Sequence, residues 1–357
     1  GDLRHTRNAL LDFHRSRNED GMLKSCYPLR YNFYHSSYSL VYVDMVWDYF
    51  QRSQDTAFVR RLLPGIEQTL SYFDAHFDKD RGYLGDIPFK PFVDWYNDGG
   101  QGGLAPGSDA TRSVPYTLQY AHALQSARRL WRALGEDSLQ ATEWLVRLEL
   151  IRTKVRLSAY DHQRKLLAER PDKSYFDQHS NLLGILTDVI PADEQAAVAE
   201  RLLREEGLGQ ATYYFRYYLH RALLKTGRTN LVREALAPWY DIVADGATTA
   251  VERFEGSKAT RSEAHPWGAS PVLFAFQNLA GIDLDRKTET IVMAPRFGHL
   301  REMRGFCPVY GPEDGVWFDL RLAGGEITGS VRAGNTPVSL FIAGKEFFVA
   351  AGEMIEI

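Results

Sequence analysis

Residues 114–134, VPYTLQYAHALQSARRLWRAL, carry apolar side chains around nearly the whole circumference of the helix that they predict. Residues 62–77, LLPGIEQTLSYFDAHF, differ because their apolar side chains recur at spacings of three and four along one face. A helix that is apolar on all sides is buried on all sides, whereas a single apolar stripe covers a core from outside. The two segments together predict two layers of helices, with the all-apolar helices inside.

The same alternation of helix types continues along most of the chain. Striped segments lie near residues 2–16, 141–158, 193–206 and 229–243, and all-apolar segments lie near 38–50, 180–190 and 213–224. These segments amount to about ten helices without a fixed sequence period, which favours an (α/α) barrel of helical hairpins over a regular solenoid. A six-hairpin (α/α)6 barrel has twelve helices, so we expect its N-terminal part to precede Gly1.

The pattern changes at the polar stretch 283–287, DLDRK. Beyond it, residues 316–322 partly alternate between apolar and polar side chains, and Gly324 and Gly325 separate them from residues 326–331, as in a tight β-hairpin. We therefore predict a mainly α-helical barrel domain over residues 1–283 and a small antiparallel β-sandwich over residues 284–357, packed on the barrel.

Composition excludes several functional classes. The 357 residues carry a net charge of −4 without a basic block, so the electrostatic footprint of a nucleic-acid-binding protein is missing. There is no uncharged apolar run of the length that a transmembrane helix needs. The two cysteines, Cys26 and Cys307, are too few for a disulfide scaffold or a thiolate zinc site, and they leave the compartment open.

The mouth of such a barrel is a cup that suits a sugar. Aromatic rings in the cup can stack on the C–H faces of the sugar, and a pair of carboxyl groups can cleave the glycosidic bond. Residues 246–256, GATTAVERFEG, place Glu252 on an inter-helical loop. Glu252 is a candidate general base that activates water. The alternative is a loop glutamate that is solvated or paired with Arg253.

Two further loops supply candidate sugar contacts. In residues 262–271, SEAHPWGASP, His265 and Trp267 either line the cup or are buried core residues. In residues 92–98, FVDWYND, Asp94 either binds a sugar hydroxyl or forms an Asx turn, and Trp95 either stacks on the sugar or packs.

The segment 175–181, YFDQHSN, is the fourth candidate. We interpret Asp177 as the N-cap of the following apolar helix rather than as a catalyst. Gln178 or His179 could still reach the cup.

Taken together, these four segments resemble the catalytic region of the bacterial α-L-rhamnosidases, a glycoside hydrolase family with a six-hairpin (α/α) barrel. Gly-Ala-Thr-Thr at residues 246–249, followed by Glu252, resembles the segment that ends in the family's general base, with Val251 where the family usually has Trp. Residues 265–271 resemble its His-containing helix start, and residues 93–95 resemble its Asp-Trp loop. The resemblance covers nearly the whole chain.

The N-terminus departs from the family pattern. Gly1 and Asp2 resemble the end of the family's carboxylate-rich segment, which closes in Trp-x-Gly-Asp. This resemblance implies that Asp2 is a sugar-binding aspartate. In that motif the general-acid glutamate stands upstream of this aspartate, so we expect the acid before Gly1.

The resemblance implies an exo-acting, inverting glycoside hydrolase of bacterial carbohydrate metabolism that removes terminal α-L-rhamnose. It implies Glu252 as the general base, with Asp2, Asp94 and His265 on hydroxyls, and Trp95 and Trp267 shaping the pocket. No metal or organic cofactor is implied, the expected partner is a carbohydrate, and we expect a soluble protein of the cytoplasm or periplasm. Three alternatives stay open: another six-hairpin exo-glycosidase acting on glucosides or unsaturated uronides, a non-catalytic sugar-binding module, and a purely structural barrel.

Overall fold

The computed structural model describes residues 2–96, 103–136, 139–255, 258–260, 262–285, 288–311 and 313–357. They form two compact units. The first unit is Leu3–Tyr218, and the second is Leu219–Ile357 together with Asp2.

The first unit is helical. Its helices are α1 (Arg4–Arg15), α2 (Ser36–Ser53), α3 (Thr56–Arg60), α4 (Leu63–Ala75), α5 (Val114–Ala133), α6 (Leu139–Ala159), α7 (Gln178–Leu186), α8 (Ala192–Arg201) and the start of α9 (Arg216–Lys225). Two short antiparallel hairpins connect some of them, β1 (Phe77–Asp78) with β2 (Tyr83–Leu84), and β3 (Tyr160–Asp161) with β4 (Leu166–Leu167).

Burial in this unit follows the predicted alternation of helix types. All nine residues of α7 are buried, and α5 is buried around most of its circumference. By contrast, Leu10 is the one fully buried residue described in α1, and α8 buries a single face through Gln195, Val198 and Ala199. The all-round apolar helices contact single-faced neighbours in the pairs α1 with α2, α5 with α6, and α7 with α8. These pairs are helical hairpins.

Local signals set the starts of two helices, and for α7 the signal is the N-cap that the sequence predicts. Pro64 lies in the first turn of α4, where its missing N–H costs nothing, so a new helix begins there. The Asp177 side chain accepts a hydrogen bond from the Ser180 N–H and caps α7.

Helices α2 and α5 run parallel to one another. Ser36 Oγ and Tyr116 Oη are 2.6 Å apart near the two N-termini, and Asp44 Oδ2 lies 2.9 Å from His122 Nδ1 two turns further along both helices. The loops that precede these two helices therefore lie at the same end of the first unit. The loop before α5 contains the candidate residues Asp94 and Trp95.

The second unit holds shorter helical pieces. They are a 3₁₀ turn (Thr229–Leu231), α10 (Val232–Ala235), α11 (Ala237–Ala244), a 3₁₀ turn (Pro266–Gly268), and α12 (Pro271–Leu273), which continues as a π-helix (Phe274–Leu279). The striped segment predicted near residues 229–243 is thus broken into pieces rather than continuous. Pro238 lies in the first turn of α11, which explains why a separate helix starts there.

The described residues of the second unit also contain ten strands. They are β5 (Arg253–Glu255), β6 (Lys258–Thr260), β7 (Ile282–Asp285), β8 (Thr290–Met293), β9 (Glu302–Pro308), β10 (Gly315–Ala323), β11 (Glu326–Ala333), β12 (Val338–Ile342), β13 (Lys345–Val349) and β14 (Met354–Glu356). Strands β5 and β6 pair with one another, and the other strands form two four-stranded sheets with the orders β14-β11-β10-β9 and β13-β12-β8-β7.

The two sheets confirm the C-terminal β region, with one difference in pairing. Gly324 and Gly325 form the turn between β10 and β11, where Ala323 pairs with Glu326. The pairing of β8 with β12 is parallel, whereas the sequence predicted an antiparallel sandwich throughout. Parallel pairing needs a long crossover, and β9, β10 and β11 of the other sheet supply it. The boundary after residue 283 stays a prediction.

None of the helices in the described ranges is long and apolar enough to cross a membrane.

Candidate active site

Backbone hydrogen bonds join the two loops predicted to carry Glu252 and His265. The Glu252 N–H donates to the Ser262 carbonyl at 2.9 Å, and the His265 N–H donates to the Ala250 carbonyl at 2.7 Å. Trp267 Nε1 donates to the Glu252 carbonyl at 3.2 Å. Three residues separated by up to fifteen positions in sequence therefore lie together in the second unit.

The Glu252 side chain is almost buried next to a more accessible histidine. Glu252 Oε2 lies 3.7 Å from His265 Nδ1, and the side chains are 10% and 33% exposed. This distance is too long for a hydrogen bond but short enough for an ion pair when the imidazole is protonated. The rings of His265 and Trp267 have centroids 4.4 Å apart, so Trp267 packs on the histidine that faces the carboxylate.

Close backbone packing fixes this cluster. A Cβ atom on Gly268 would lie 2.8 Å from the Val251 carbonyl oxygen, which is closer than side chains tolerate. Trp239 Nε1 donates to the Gly268 carbonyl at 2.8 Å. Sequence reasoning missed both contributions. The glycine after Trp267 was a visible signal, but only the fold shows that it faces the residue before Glu252.

Asp94 and Trp95 lie in the first unit, where hydrogen bonds converge on the Asp94 carboxylate. Asp94 is completely buried. Its Oδ2 accepts hydrogen bonds from His179 Nε2 at 2.7 Å and from the Thr212 N–H at 2.8 Å. Its Oδ1 accepts from the Trp95 N–H at 2.8 Å and also from the Thr212 hydroxyl. Asp94 thereby holds the backbone of Trp95 in place, and a hydrogen bond from Asp94 to a sugar hydroxyl stays a prediction.

Trp95 is half-buried, and its ring meets the Phe92 ring edge-on at a centroid distance of 5.3 Å. A partly accessible indole beside a fixed backbone is suited to stack on a sugar face. That role, too, stays a prediction.

His179 lies between two buried carboxylates. Its Nδ1 is 3.4 Å from Asp177 Oδ2, opposite the bond from Nε2 to Asp94. Burial alone would lower the pKa of His179, but the contacts with Asp177 and Asp94 raise this pKa to about 9. The imidazole is therefore a cation at neutral pH. Conversely, burial opposes the ionisation of Asp177, yet the contact with His179 and the bonds from Ser180 hold the pKa of Asp177 below its usual range.

Two further buried groups complete this network, and sequence reasoning missed both. Tyr96 Oη donates to Asp177 Oδ2 at 2.9 Å, and burial raises the pKa of Tyr96 well above its ordinary value. Glu169 is fully buried and accepts a bond from Ser108 Oγ at 2.8 Å. Burial and the nearby Asp177 raise the pKa of Glu169 to about 8, so its carboxyl group is protonated at neutral pH. No local motif marks Glu169.

The remaining candidates are placed as follows. Asp2 is exposed and belongs to the second unit. Gln178 Nε2 donates to the Leu202 carbonyl at 2.6 Å, and its Oε1 accepts from the Ala211 N–H, so Gln178 braces two loops. Asn97, Asp98 and Gly256, at the ends of two quoted segments, lie outside the described residues.

Within the described ranges, no group of three or more His, Cys, Asp or Glu residues is arranged to hold a metal ion.

A family model described as the bacterial alpha-L-rhamnosidase 6 hairpin glycosidase domain matches residues 3–279. No curated protein matches the chain. Among solved structures, a GH78 family rhamnosidase of Bacillus sp. GL1 is similar with a TM-score of 0.84 and 19% identity, over 99% of this chain and 38% of that one. This chain therefore spans less than two fifths of the length of the Bacillus protein.

Two other solved structures extend the comparison. A rhamnosidase from Klebsiella oxytoca with rhamnose bound has a TM-score of 0.64 and 23% identity, over 77% of this chain and 54% of that one. A GH63 mannosylglycerate hydrolase from Thermus thermophilus has a TM-score of 0.56 and 13% identity, over 76% of this chain and 89% of that one. The family match and these likenesses confirm the predicted six-hairpin fold followed by a β region.

Proposed function

The chain belongs to the bacterial α-L-rhamnosidase six-hairpin glycosidase family, and we propose that it carries the catalytic domain of an exo-acting, inverting glycoside hydrolase that removes terminal α-L-rhamnose. The family match over residues 3–279 carries this proposal. It is supported by the position of Glu252 within that range, with His265 and Trp267 fixed around it.

In the proposed reaction, the Glu252 carboxylate takes a proton from a water molecule, and the oxygen of that water attacks the anomeric carbon. The glycosidic bond breaks, the configuration inverts, and a second carboxyl group gives its proton to the leaving oxygen. In inverting enzymes the two carboxyl groups stand roughly 6.5–9.5 Å apart, which leaves room for the water.

His265 is a positioning residue in this scheme. Its Nδ1 lies 3.7 Å from Glu252 Oε2, so the imidazole packs beside the carboxylate that acts as the base. Trp267 packs on the His265 ring and donates a hydrogen bond to the Glu252 carbonyl, so it fixes the positions of both residues. We propose that Asp2, Asp94, Trp95, His265 and Trp267 contact the sugar.

Release of 4-nitrophenol from 4-nitrophenyl α-L-rhamnoside tests the proposal. This leaving group is a weak base, so its departure depends little on a general acid. Parallel assays with 4-nitrophenyl α-D-glucoside and an unsaturated uronide identify the rival six-hairpin activities. We expect turnover of the rhamnoside alone, with β-L-rhamnose as the first anomer in the NMR spectrum. Turnover of a rival substrate alone would reassign the substrate, and α-L-rhamnose as the first product would refute inversion.

Binding without turnover is the remaining outcome. Calorimetric binding of L-rhamnose by a chain that cleaves none of these substrates would replace the hydrolase with a sugar-binding module.

A further inference from the structure

Helix α6 carries a second apolar stripe on the side that faces away from α5. Its buried face packs on α5 through Trp144, whose ring meets the Trp131 ring at a centroid distance of 4.9 Å. On the far side, Leu139 is 77% exposed, Val146 is 64% exposed and Leu157 is 76% exposed. The described residues of α1 and α8 include no exposed large apolar side chain. Single exposed apolar residues are ordinary, but an aligned group of them marks a binding surface.

Four side chains on this far side lie in line. At 3.6 residues per turn, they fall within about 40° of the helix circumference and span about 27 Å along its axis. Leu150 is half-buried, and the other three are exposed. We name these four side chains the α6 stripe: Leu139, Val146, Leu150 and Leu157.

The spacing of the α6 stripe reads the same in both directions. The intervals between its successive members are seven, four and seven residues. A second copy of α6, packed antiparallel about a two-fold axis at residue 148, therefore places Leu139 of one copy against Leu157 of the other. The same axis places Val146 against Leu150. A two-fold interface requires such self-complementarity, because each copy presents the same patch to the other.

Two charged residues beside the α6 stripe favour the antiparallel arrangement. Glu143 and Lys154 lie on the same flank of the stripe, one in each half of the helix. In an antiparallel pair, Glu143 of one copy lies beside Lys154 of the other, and the two-fold axis repeats this ion pair. In a parallel pair each residue would lie beside its own counterpart, which brings like charges together.

Two arginines of α6 are held away from the stripe. Arg152 Nε donates to the Thr187 carbonyl at 2.6 Å, and Arg156 Nε donates to the Val189 carbonyl at 2.7 Å. These long side chains are thereby tied to the segment between α7 and α8. They leave the apolar side chains of the α6 stripe accessible.

We propose that the α6 stripe is the interface of a two-fold homodimer in which α6 packs antiparallel on α6 of a second copy. The partner is a second copy of this chain, because an unrelated protein would not require symmetric spacing with opposite charges on either side of the centre. Dimerisation removes four apolar side chains of each copy from water. This inference does not rest on the proposed hydrolase, since its test measures the mass of the assembly and not its activity.

Sedimentation velocity of the full chain over a series of concentrations tests the interface. Val146→Glu is the variant to compare, because Val146 lies near the centre of the stripe and its exposure allows a charge in the single copy. We expect a wild-type dimer, and a Kd raised roughly a hundredfold or more in Val146→Glu, since that dimer would bury two new carboxylates. Val243→Glu is the matched control, at a valine that is 70% exposed on α11 of the second unit; it should keep the wild-type Kd.

A charge exchange tests the antiparallel arrangement separately. Glu143→Lys alone and Lys154→Glu alone each put like charges together in the antiparallel dimer and should raise its Kd about threefold to tenfold. The two substitutions combined in one chain restore opposite charges and should restore the wild-type Kd. If Val146→Glu did not fold, these exchange variants, which change only charges beside the stripe, would decide the proposal on their own.

Three results would overturn the proposal. A wild-type chain that stays monomeric at about 100 μM would show that the α6 stripe does not bind a second copy. A dimer that is as stable in Val146→Glu as in the wild type would place the interface elsewhere. A combined exchange variant that dimerises as weakly as the single variants would exclude the antiparallel arrangement.

Discussion

His179 Nε2 lies 2.7 Å from Asp94 Oδ2, and both side chains are fully buried. The bond joins the first turn of α7 to the loop that carries Trp95, eighty-five positions earlier in the chain. Because His179 also faces Asp177, one buried cation is shared by two buried carboxylates. The position of Trp95 therefore depends on a charge that is out of reach of solvent.

Replacing His179 by Gln should strongly destabilise the protein. The variant leaves the carboxylates of Asp94 and Asp177 buried without their cation, a defect that typically costs about 3–5 kcal/mol. Urea denaturation measures the free energy of unfolding. The control is His162→Gln, which changes an exposed histidine. A loss below about 1 kcal/mol would contradict a buried ion pair at this position.

The same network predicts that stability falls as the pH rises. His179 has a raised pKa of about 9 in the folded state, so its contribution is complete below its ordinary value of 6.5 and is lost between pH 6.5 and 9. Denaturation at several pH values should show this fall, and His179→Gln should flatten it. A wild-type stability that rises over this range would contradict the cationic assignment.

The raised pKa of Glu169 predicts that the free energy of unfolding also falls with rising pH at lower pH values. Its carboxyl group ionises near pH 4.5 when unfolded but keeps its proton to about pH 8 when folded. Between these values the folded state binds more protons, so stability decreases with pH, by at most about 1.4 kcal/mol per unit.

Glu169→Gln should remove that part of the slope and make the protein more stable at pH 8 than the wild type. The free energy of unfolding at pH 5, 6.5 and 8 checks this. Glu143→Gln, at an exposed position of α6, is the control and should keep the wild-type slope. An unchanged slope in Glu169→Gln would show that Glu169 is ionised in the folded protein.

These buried groups also mark the limit of what the sequence predicts. The helices α5 and α7 follow from their all-round apolar patterns, and the role of Asp177 follows from its position before α7, because periodicity and capping are local. The bond from Thr212 to Asp94 spans 118 positions, and no local pattern encodes such a contact. Glu169 was missed for the same reason.

The second unit also combines a feature that the local sequence predicts with one that it does not. The Gly324–Gly325 turn is a local signal and was predicted. The parallel pairing of β8 with β12 depends on how the chain returns after three strands of another sheet, which adjacent residues do not determine.

Replacing Glu252 by Gln should abolish most of the hydrolysis of 4-nitrophenyl α-L-rhamnoside. The amide keeps the shape of the side chain but accepts no proton, and loss of a general base typically lowers kcat by about 10²–10⁴-fold. The control is Glu263→Gln, which changes an exposed carboxylate in the adjoining loop. Comparable rates for Glu252→Gln and the wild type would remove Glu252 from the reaction.

Replacing Gly268 by Ala should impair catalysis through the backbone next to Glu252. The added methyl group would meet the Val251 carbonyl oxygen at 2.8 Å, and a backbone atom cannot turn aside as a side chain can. Because Trp267 and Glu252 share a hydrogen bond across this contact, the shift should move the carboxylate relative to His265. We expect a fall in kcat for the aryl rhamnoside, with a loss of stability of about 1–3 kcal/mol.

Gly311→Ala is the matched control, since a Cβ there meets no atom within 4 Å. If Gly268→Ala kept both the wild-type kcat and the wild-type stability, the close packing of Gly268 on Val251 would not position Glu252.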